Sequence, residues 1–343
     1  MRILVDITHP AEVHFFRPLI RALEARGDSV LVTALYKPGV AELLKAFEIR
    51  HRRIARPWPT PVGVALSVAV RSLRITRIAA AFRPHVMVAR VGAPIGAAGR
   101  LLGIPSISYD ENEYATAQLF VTRKLATVLC TGMGYEKDLG RKQVRFNAPP
   151  QLVYTHPCRY TPDAEGLRTR GIDPAAPYVV LRLSSWQALH DFGHGRRSEH
   201  DVLRLAEALS AHARVIVSAE GEMPASLARY ANTLHVSKGL DLLALASLYV
   251  GEGGSMAAEA ACLGVPSIFV SPLRCGYLNA LRLRYGLVAQ PADWGDAARL
   301  ALDALTDPAR RARAQQSRRQ LLKDAGDPLD FMIKVVDEYA RRD

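Results

Sequence analysis

Short apolar runs alternate along this chain with longer segments in which apolar residues recur at helical spacing. The pattern begins at once, with a strand over residues 2–7, a helix over 15–26 and a second strand over 29–34. Gly27 stands where such a helix would end. A strand, a helix and a second strand in this order predict a right-handed crossover unit of a parallel sheet.

The same alternation continues to the end of the chain and predicts an α/β protein. Further strands are predicted at residues 85–89, 106–109, 125–130, 178–183, 214–218, 248–251 and 267–270. Further helices are predicted at residues 40–47, 62–82, 94–102, 199–211, 240–246, 256–263, 294–305, 307–323 and 328–341.

A stretch rich in proline and turn-forming residues, 147–173, separates two such series. It predicts a first Rossmann-like domain over 1–155, a linker over 156–176 and a second Rossmann-like domain over 177–327. The last helix, 328–343, is expected to pack back on the first domain. The length of 343 residues suits two hydrophobic cores.

The formal net charge of +12 indicates anionic partners: phosphorylated ligands, anionic lipid or nucleic acid. The charge is spread along the chain and no nucleic-acid-binding motif is present, so nucleic acid is not expected. The four cysteines lack metal-type spacing, which predicts a reduced, cytoplasmic protein without disulfides or a metal site. No cofactor is expected. The chain opens on a strand-like run, with no signal-peptide pattern and no apolar run of membrane-spanning length.

The strongest local motif lies at residues 250–268, where a strand ends in glycines and a helix begins. Glycines let a ligand approach the backbone, and free N–H groups at a helix start attract phosphate. The alternative is an ordinary capped helix with its glutamate on a solvated face. The predicted nucleotide-sugar-binding residues here are Gly253, Gly254, Ser255, Met256 and Glu259.

Two further candidate groups follow strands of the first domain. His14 is predicted to open the first helix, where the helix dipole favours a neutral imidazole that acts as a general base. Glu111 and Glu113 lie in an acidic cluster after the strand that ends near Tyr109, and could supply a base or bind sugar hydroxyls. The alternatives are a packed histidine and a solvated loop.

A fourth group follows the first strand of the second domain. Arg182 could hold a pyrophosphate, Trp186 could stack on a base, and His190 and Asp191 could bind the sugar. The alternative is a surface loop with one buried tryptophan.

The helix over 62–82 places three arginines near one face. A basic amphipathic helix can lie on an anionic membrane and would suit a lipid-linked acceptor. The alternative is a Rossmann-domain helix whose arginine face is solvated. The three arginines are Arg71, Arg74 and Arg77.

Several motifs resemble known families. The run 253–266 is similar to the donor segment of GT-B glycosyltransferases and of non-hydrolysing UDP-GlcNAc 2-epimerases. The opening run 6–19, the stretches 103–107 and 180–191, and the run 251–256 resemble the DUF354 family, over nearly the full chain. The sequence departs from that family's pattern at His9 and Ala11 and in the acidic cluster at 110–113.

The resemblance implies a GT-B fold, with two doubly wound Rossmann-like domains facing across a cleft. It implies a glycosyltransferase that uses a nucleotide sugar, with UDP expected, and a cell-envelope or polysaccharide acceptor. Such an enzyme would be cytoplasmic, or peripheral at the inner face of the membrane. The alternatives are a sugar-nucleotide 2-epimerase and a non-catalytic nucleotide-sugar-binding protein, because one scaffold serves all three.

Overall fold

The computed structural model describes residues 1–55, 61–90, 92–184 and 199–341. In chain order the strands are β1 Arg2–Ile7, β2 Ser29–Leu35, β3 His51–Ala55, β4 Val86–Ala89, β5 Ser106–Asp110, β6 Val128–Thr131, β7 Gln143–Arg145, β8 Tyr178–Leu183, β9 Arg214–Ala219, β10 Leu248–Gly251, β11 Ser267–Phe269 and β12 Val288–Ala289.

The helices, again in chain order, are α1 Pro10–Ala25, α2 Val40–Ala46, α3 Pro61–Phe82, α4 Ala93–Leu102, α5 Thr116–Leu125, α6 Leu152–Thr155, α7 Ala164–Arg168, α8 Glu199–Ser210, α9 Gly239–Leu245, α10 Gly254–Leu263, α11 Gly276–Tyr285, α12 Trp294–Thr306, α13 Arg310–Asp324 and α14 Pro328–Ala340.

The chain forms two compact units. The first comprises Met1–Tyr154 with Gly326–Asp343, and the second comprises Thr155–Ala325. Residues 156–176, expected to be a linker, lie within the second unit. Helix α14 counts with the first unit, where its Asp337 receives two hydrogen bonds from Arg26 at the end of α1.

The first unit contains a seven-stranded parallel sheet in the order β3-β2-β1-β4-β5-β6-β7. The second contains a five-stranded parallel sheet in the order β12-β11-β10-β8-β9. The inner strands are apolar and buried because helices cover the sheet. In each sheet the chain reverses its direction of travel at one point, between β1 and β4 and between β8 and β10.

These two reversals matter because open parallel sheets bind ligands outside the carboxyl ends of the strands at such switch points. The loops after β1, β4, β8 and β10 are therefore the places to look for function. The predicted α/β class with two doubly wound sheets is confirmed.

Several predicted element boundaries are wrong. Helix α1 begins at Pro10, five residues before the predicted start, because proline suits the first turn of a helix and the His9 side chain accepts the Ala11 N–H. The segment 125–130 is no single strand, since α5 ends at Leu125 and β6 begins at Val128. Short elements such as β3, β7, α11 and β12 were not predicted.

Within the described residues, no helix is long and apolar enough to cross a membrane.

Candidate functional site

The switch point of the second unit lies where β8 and β10 end side by side. Gly251 pairs with Arg182 across these strands, and a Cβ on Gly251 would lie 2.4 Å from the Arg182 carbonyl oxygen. The close approach therefore requires glycine. Glu252 follows directly, and its Oε2 accepts the Ser184 N–H at 2.9 Å and the Ser184 hydroxyl at 2.7 Å. Glu252 thus ties the loop after β8 to the loop after β10.

Helix α10 begins at this edge without a side-chain cap from the described residues. Gly253 is the N-cap residue, and its carbonyl already accepts the Ala257 N–H at 2.9 Å. The N–H groups of Gly254, Ser255 and Met256 have no partner within the helix, as at every helix start. They point outward from the positive end of the helix dipole, and this arrangement favours a phosphate group.

Glu259 lies farther along α10 and is only 9% exposed. The alternative interpretation of a solvated glutamate is therefore wrong. Its charge contributes to raising the pKa of two buried neighbours, Tyr249 and Cys262, for which burial is the larger cause. Glu259 thus lies in the buried part of α10 rather than at its exposed start.

Arg182 is the penultimate residue of β8, and its guanidinium already donates two hydrogen bonds. One terminal nitrogen donates to the Ser218 hydroxyl at 2.8 Å, and the other to the Glu220 carboxylate at 2.6 Å. Glu220 is half-exposed, so water weakens this ion pair. A phosphate could replace Glu220 as the partner of Arg182. Trp186, His190 and Asp191 lie outside the described residues.

The switch point of the first unit lies between the ends of β1 and β4. Glu12, in the first turn of α1, is buried and accepts the Thr8 N–H at 2.5 Å and the Thr8 hydroxyl at 3.0 Å. Burial raises the pKa of Glu12, an effect that the nearby Arg90 and the Thr8 hydrogen bonds partly oppose. These hydrogen bonds fix the turn from β1 into α1.

Arg90 follows β4 and is the centre of charge at this edge. It forms an ion pair with Glu111 and lies with its guanidinium carbon 5.0 Å from the ring centroid of Phe15. Burial alone would lower the pKa of Arg90, but the carboxylates of Glu111 and Glu12 outweigh it and keep that pKa above its ordinary value. Arg90 therefore remains charged and holds the loops after β1, β4 and β5 together.

The three carboxyl groups of the acidic cluster at residues 110–113 make different contacts. Glu111 pairs with Arg90 and also accepts a hydrogen bond from Gln151 at 3.3 Å. Glu113 is only 2% exposed and accepts the Glu136 N–H at 2.8 Å. Both predicted catalytic glutamates are therefore engaged in holding loops of the first unit.

Asp110 is the member of this cluster that the sequence interpretation passed over. Its carboxylate accepts the Asn112 N–H at 2.9 Å and a longer bond from the Tyr135 hydroxyl. Burial, partly opposed by the Asn112 hydrogen bond, raises the pKa of Asp110 to about 6. A carboxyl with that pKa can exchange a proton near neutral pH.

His14 does not open α1 but lies more than one turn inside it. Its ring contacts the rings of Phe47 and Tyr154, with centroids 5.3 Å and 5.6 Å away. Burial, and secondly the charge of Arg17, lower the pKa of His14 from 6.5 to about 4. The predicted neutral imidazole is thus supported, but by burial among aromatic rings rather than by a helix start.

The Nδ1 atom of His14 has no hydrogen-bond partner among the described residues and is shielded from solvent, although part of the ring is exposed. An unsatisfied buried nitrogen costs free energy.

The prediction that Arg71 lies on an exposed basic face of α3 is wrong. Arg71 is only 5% exposed and donates to the buried Asp6 carboxylate at 2.5 Å, while the Thr33 hydroxyl donates to the other oxygen. Arg74 donates to the Ile54 carbonyl, whereas Arg77 is exposed. Arg71 is therefore a partner of β1 inside the unit, because an unpaired buried carboxylate would be costly.

Sequence reasoning assigned no role to Glu12, Arg90 or Glu252, each of which follows a strand by a few residues, and it placed Asp110, the last residue of β5, in the acidic cluster without selecting it. Their position after the strands was a usable signal, whereas their pairing across the sheet was not. No group of three potential metal-binding side chains lies together within the residues that the structure describes.

Comparisons with known proteins agree with this architecture. The family model of DUF354, a protein family of unknown function, matches residues 1–146. An uncharacterized protein of Methanocaldococcus jannaschii is 24% identical over 78% of this chain and 81% of its own length.

Solved structures are similar in fold at low sequence identity. The UDP-GlcNAc 2-epimerase of Neisseria meningitidis bound to UDP-GlcNAc has a TM-score of 0.71 at 12% identity, covering 98% of this chain and 100% of its own. A spinosyn rhamnosyltransferase complexed with thymidine diphosphate has a TM-score of 0.62 at 18% identity, covering 98% of this chain and 100% of its own. The chain thus has the GT-B fold, and its resemblance to DUF354 is confirmed, with the family model matching residues 1–146.

Proposed function

We propose that this protein is a glycosyltransferase that takes a sugar from a nucleotide-sugar donor. The observation that carries the proposal is the start of α10, where three backbone N–H groups without a side-chain cap from the described residues lie at the switch point of the second sheet. A diphosphate there would receive those N–H groups and the positive end of the helix dipole. The fold shared with enzymes solved with UDP-GlcNAc and thymidine diphosphate supports the same ligand class.

In this proposal Arg182 is the charged partner of the diphosphate. Its guanidinium lies on β8, the strand that pairs with β10, and its present partner Glu220 is half-exposed and replaceable. Arginine suits such a role because its planar fork matches two phosphate oxygens. UDP is the expected nucleotide, and no cofactor or metal is required in the proposed reaction.

The first unit would supply the base. His14 is neutral at pH 7, and part of its imidazole ring is exposed. A neutral imidazole can take the proton of an acceptor hydroxyl as it attacks the sugar. Asp110, with its pKa of about 6, is a second candidate, whereas Glu111 and Glu113 are occupied in holding loops.

A cell-envelope or polysaccharide acceptor, and a place in the cytoplasm or at the inner face of a membrane, remain finer proposals. The buried Arg71 removes part of their original support. What supports a membrane surface instead is α5, where the 59% exposed Phe120 lies 4.2 Å from the Lys124 ammonium. An exposed aromatic ring beside a cation suits an anionic lipid surface.

The test begins with binding. A thermal-shift series over uridine, thymidine, guanosine and adenosine diphosphates and their sugar conjugates should raise the melting temperature for one base, because a ligand that binds only the folded state stabilises it. The proposal fails if no nucleotide raises the melting temperature, even at the highest concentration tested. Transfer is then read as nucleoside diphosphate released only when an acceptor fraction is added.

A 2-epimerase is the second candidate, favoured by the similar fold of the Neisseria meningitidis enzyme. Epimerisation at C2 breaks the C2–H bond and needs no acceptor. Incubation with UDP-GlcNAc in deuterated water therefore separates the two: deuterium at C2 without an acceptor supports the epimerase and contradicts the transferase. Saturable binding with neither reaction supports a non-catalytic binding protein.

A further inference from the structure

A cavity of about 430 Å³ lies in the first unit beside the carboxyl ends of β2 and β3. Its volume falls in the range of sites that bind small molecules. Helix α3 forms one wall, and the end of β3 together with Tyr36, which follows β2, forms another. The lining residues that matter here are Tyr36, Arg53, Ile54, Ser67, Val70 and Arg74.

The cavity carries two positive charges that the described residues do not neutralise. Arg53 lies over the Tyr36 ring at 4.8 Å, and Arg74 donates to the Ile54 carbonyl, but neither forms an ion pair with a described carboxylate. The contrast with Arg71, one turn earlier on α3 and paired with Asp6, is direct. Two guanidiniums at one cavity attract an anion, and each has several donors still to use.

The remaining walls suit a ring or short apolar group. Tyr36 is 40% exposed and presents its ring to the cavity, while Ile54 and Val70 supply apolar surface. The Ser67 hydroxyl is the polar group that could receive or donate a further hydrogen bond. A ligand that combines an anionic group with a ring would use both halves of the cavity.

We propose that this cavity binds a phosphate monoester whose organic part is a ring or short apolar group. A dianionic phosphate matches two arginines better than a single charge does, because guanidinium–phosphate pairs are bidentate. The residues that line the cavity belong to the first unit, whereas α10 belongs to the second. The inference therefore does not depend on nucleotide binding.

The experiment uses the full chain with phenyl phosphate as the probe and phenol as the uncharged control. Calorimetry and ³¹P NMR should show saturable binding of phenyl phosphate and none of phenol. The double variant Arg53→Gln with Arg74→Gln should weaken binding by at least about 10-fold, since a hydrogen bond to a charged group contributes about 1.5–3 kcal/mol. Arg77→Gln is the matched control, because Arg77 is an exposed arginine of the same helix that does not line the cavity.

Arg74 also bonds to the Ile54 carbonyl, so its loss could disturb the fold. The single variant Arg53→Gln avoids this risk, because the Arg53 side chain is exposed and its recorded side-chain contact is with the Tyr36 ring. It should also weaken phenyl phosphate binding. Binding that survives both variants, or that Arg77→Gln weakens equally, overturns the proposal. Gly254→Asp locates the binding: phenyl phosphate binding that this variant abolishes would lie at the start of α10 and would overturn the proposal.

A phosphate monoester could reach the cavity as a soluble metabolite or as a lipid headgroup. Vesicles containing phosphatidic acid form the second arm, with phosphatidylcholine vesicles as the control. Cosedimentation with phosphatidic acid that phenyl phosphate reverses assigns a lipid headgroup, and phenyl phosphate binding without cosedimentation assigns a soluble ligand. Absence of both overturns the site.

Discussion

The switch-point edge of the first sheet carries a cluster of buried ionisable side chains, whereas that of the second carries glycines and a helix start beside Arg182 and Glu252. In the first unit, Glu12, Arg90 and Glu111 interact around the loops after β1, β4 and β5. In the second unit, Gly251 and Gly253 leave the backbone of α10 open to a ligand. The same topological position therefore presents paired charged side chains in the first unit and fixed backbone donors in the second. Asp110, whose pKa the nearby Arg90 also influences, can exchange a proton.

This difference separates two kinds of chemistry. Backbone N–H groups are fixed in charge over the whole pH range and suit a phosphate that must be held. Imidazole and carboxyl groups change their charge, and burial sets the pH at which they do so. The comparison predicts that changes in the second unit alter nucleotide affinity, while changes in the first alter turnover and its dependence on pH.

The largest effect is expected at His14. His14→Ala should lower turnover by about 10²–10⁴, the usual contribution of a general base, and leave nucleotide affinity nearly unchanged. Steady-state kinetics and calorimetry on the same preparation measure the two quantities. His14→Gln is the control for packing between Phe47 and Tyr154, because it keeps a polar side chain in that place. Full turnover in both variants would remove His14 from catalysis.

Gly254→Asp should come next, with nucleoside diphosphate affinity falling by about 100-fold or more, because like charges about 4 Å apart repel by about 4 kcal/mol at an effective dielectric constant of 20. A carboxylate suits a helix start, so the fold should survive.

A Cβ at Gly254 would lie 3.3 Å from Leu278 and 3.3 Å from the Tyr277 hydroxyl, so size and charge must be separated. Gly254→Ala adds the carbon without the charge and should retain most of the affinity. An equal loss in both variants would show that packing, rather than phosphate repulsion, is responsible.

Arg182→Ala should weaken nucleotide binding by about 1.5–3 kcal/mol, as expected for a hydrogen bond to a charged group. Glu220→Ala is the informative counterpart, since it removes the present partner of Arg182 and frees the guanidinium. Calorimetry should show affinity unchanged or a few-fold higher in that variant. If Arg182→Ala binds as well as the wild type at low salt, Arg182 serves the fold instead.

The smallest expected effect is on stability below neutral pH. The pKa of His14 is lowered on folding from 6.5 to about 4, so its neutral form stabilises the fold above pH 6.5 and that stabilisation is lost as pH falls towards 4. The free energy of unfolding, measured in urea at pH 7 and pH 5, should drop more in the wild type than in His14→Gln. Equal drops would contradict a buried, neutral His14.

Much of the second unit was predictable because its signals are local. The strand Leu248–Gly251 was predicted with its observed bounds. The glycines after it predicted the start of α10 to within two residues of its observed position. Glycine at a close backbone approach and free N–H groups at a helix start are properties of short segments. The first helix was misplaced for a related reason: Pro10 at its first turn was taken as part of a loop, although proline suits that place.

The sequence by itself determined the α/β class, the two parallel sheets and the placement of candidate groups after strands, because hydrophobic period and turn chemistry are local. Only the tertiary structure decided which of those groups already form hydrogen bonds or ion pairs within the protein. The sequence places Arg71 on a basic face, whereas the structure pairs it with the buried Asp6. The sequence likewise makes Glu113 a candidate catalytic residue, whereas in the structure its carboxylate accepts the Glu136 N–H. Burial and pairing depend on residues far apart in the chain, and they determine both charge state and availability.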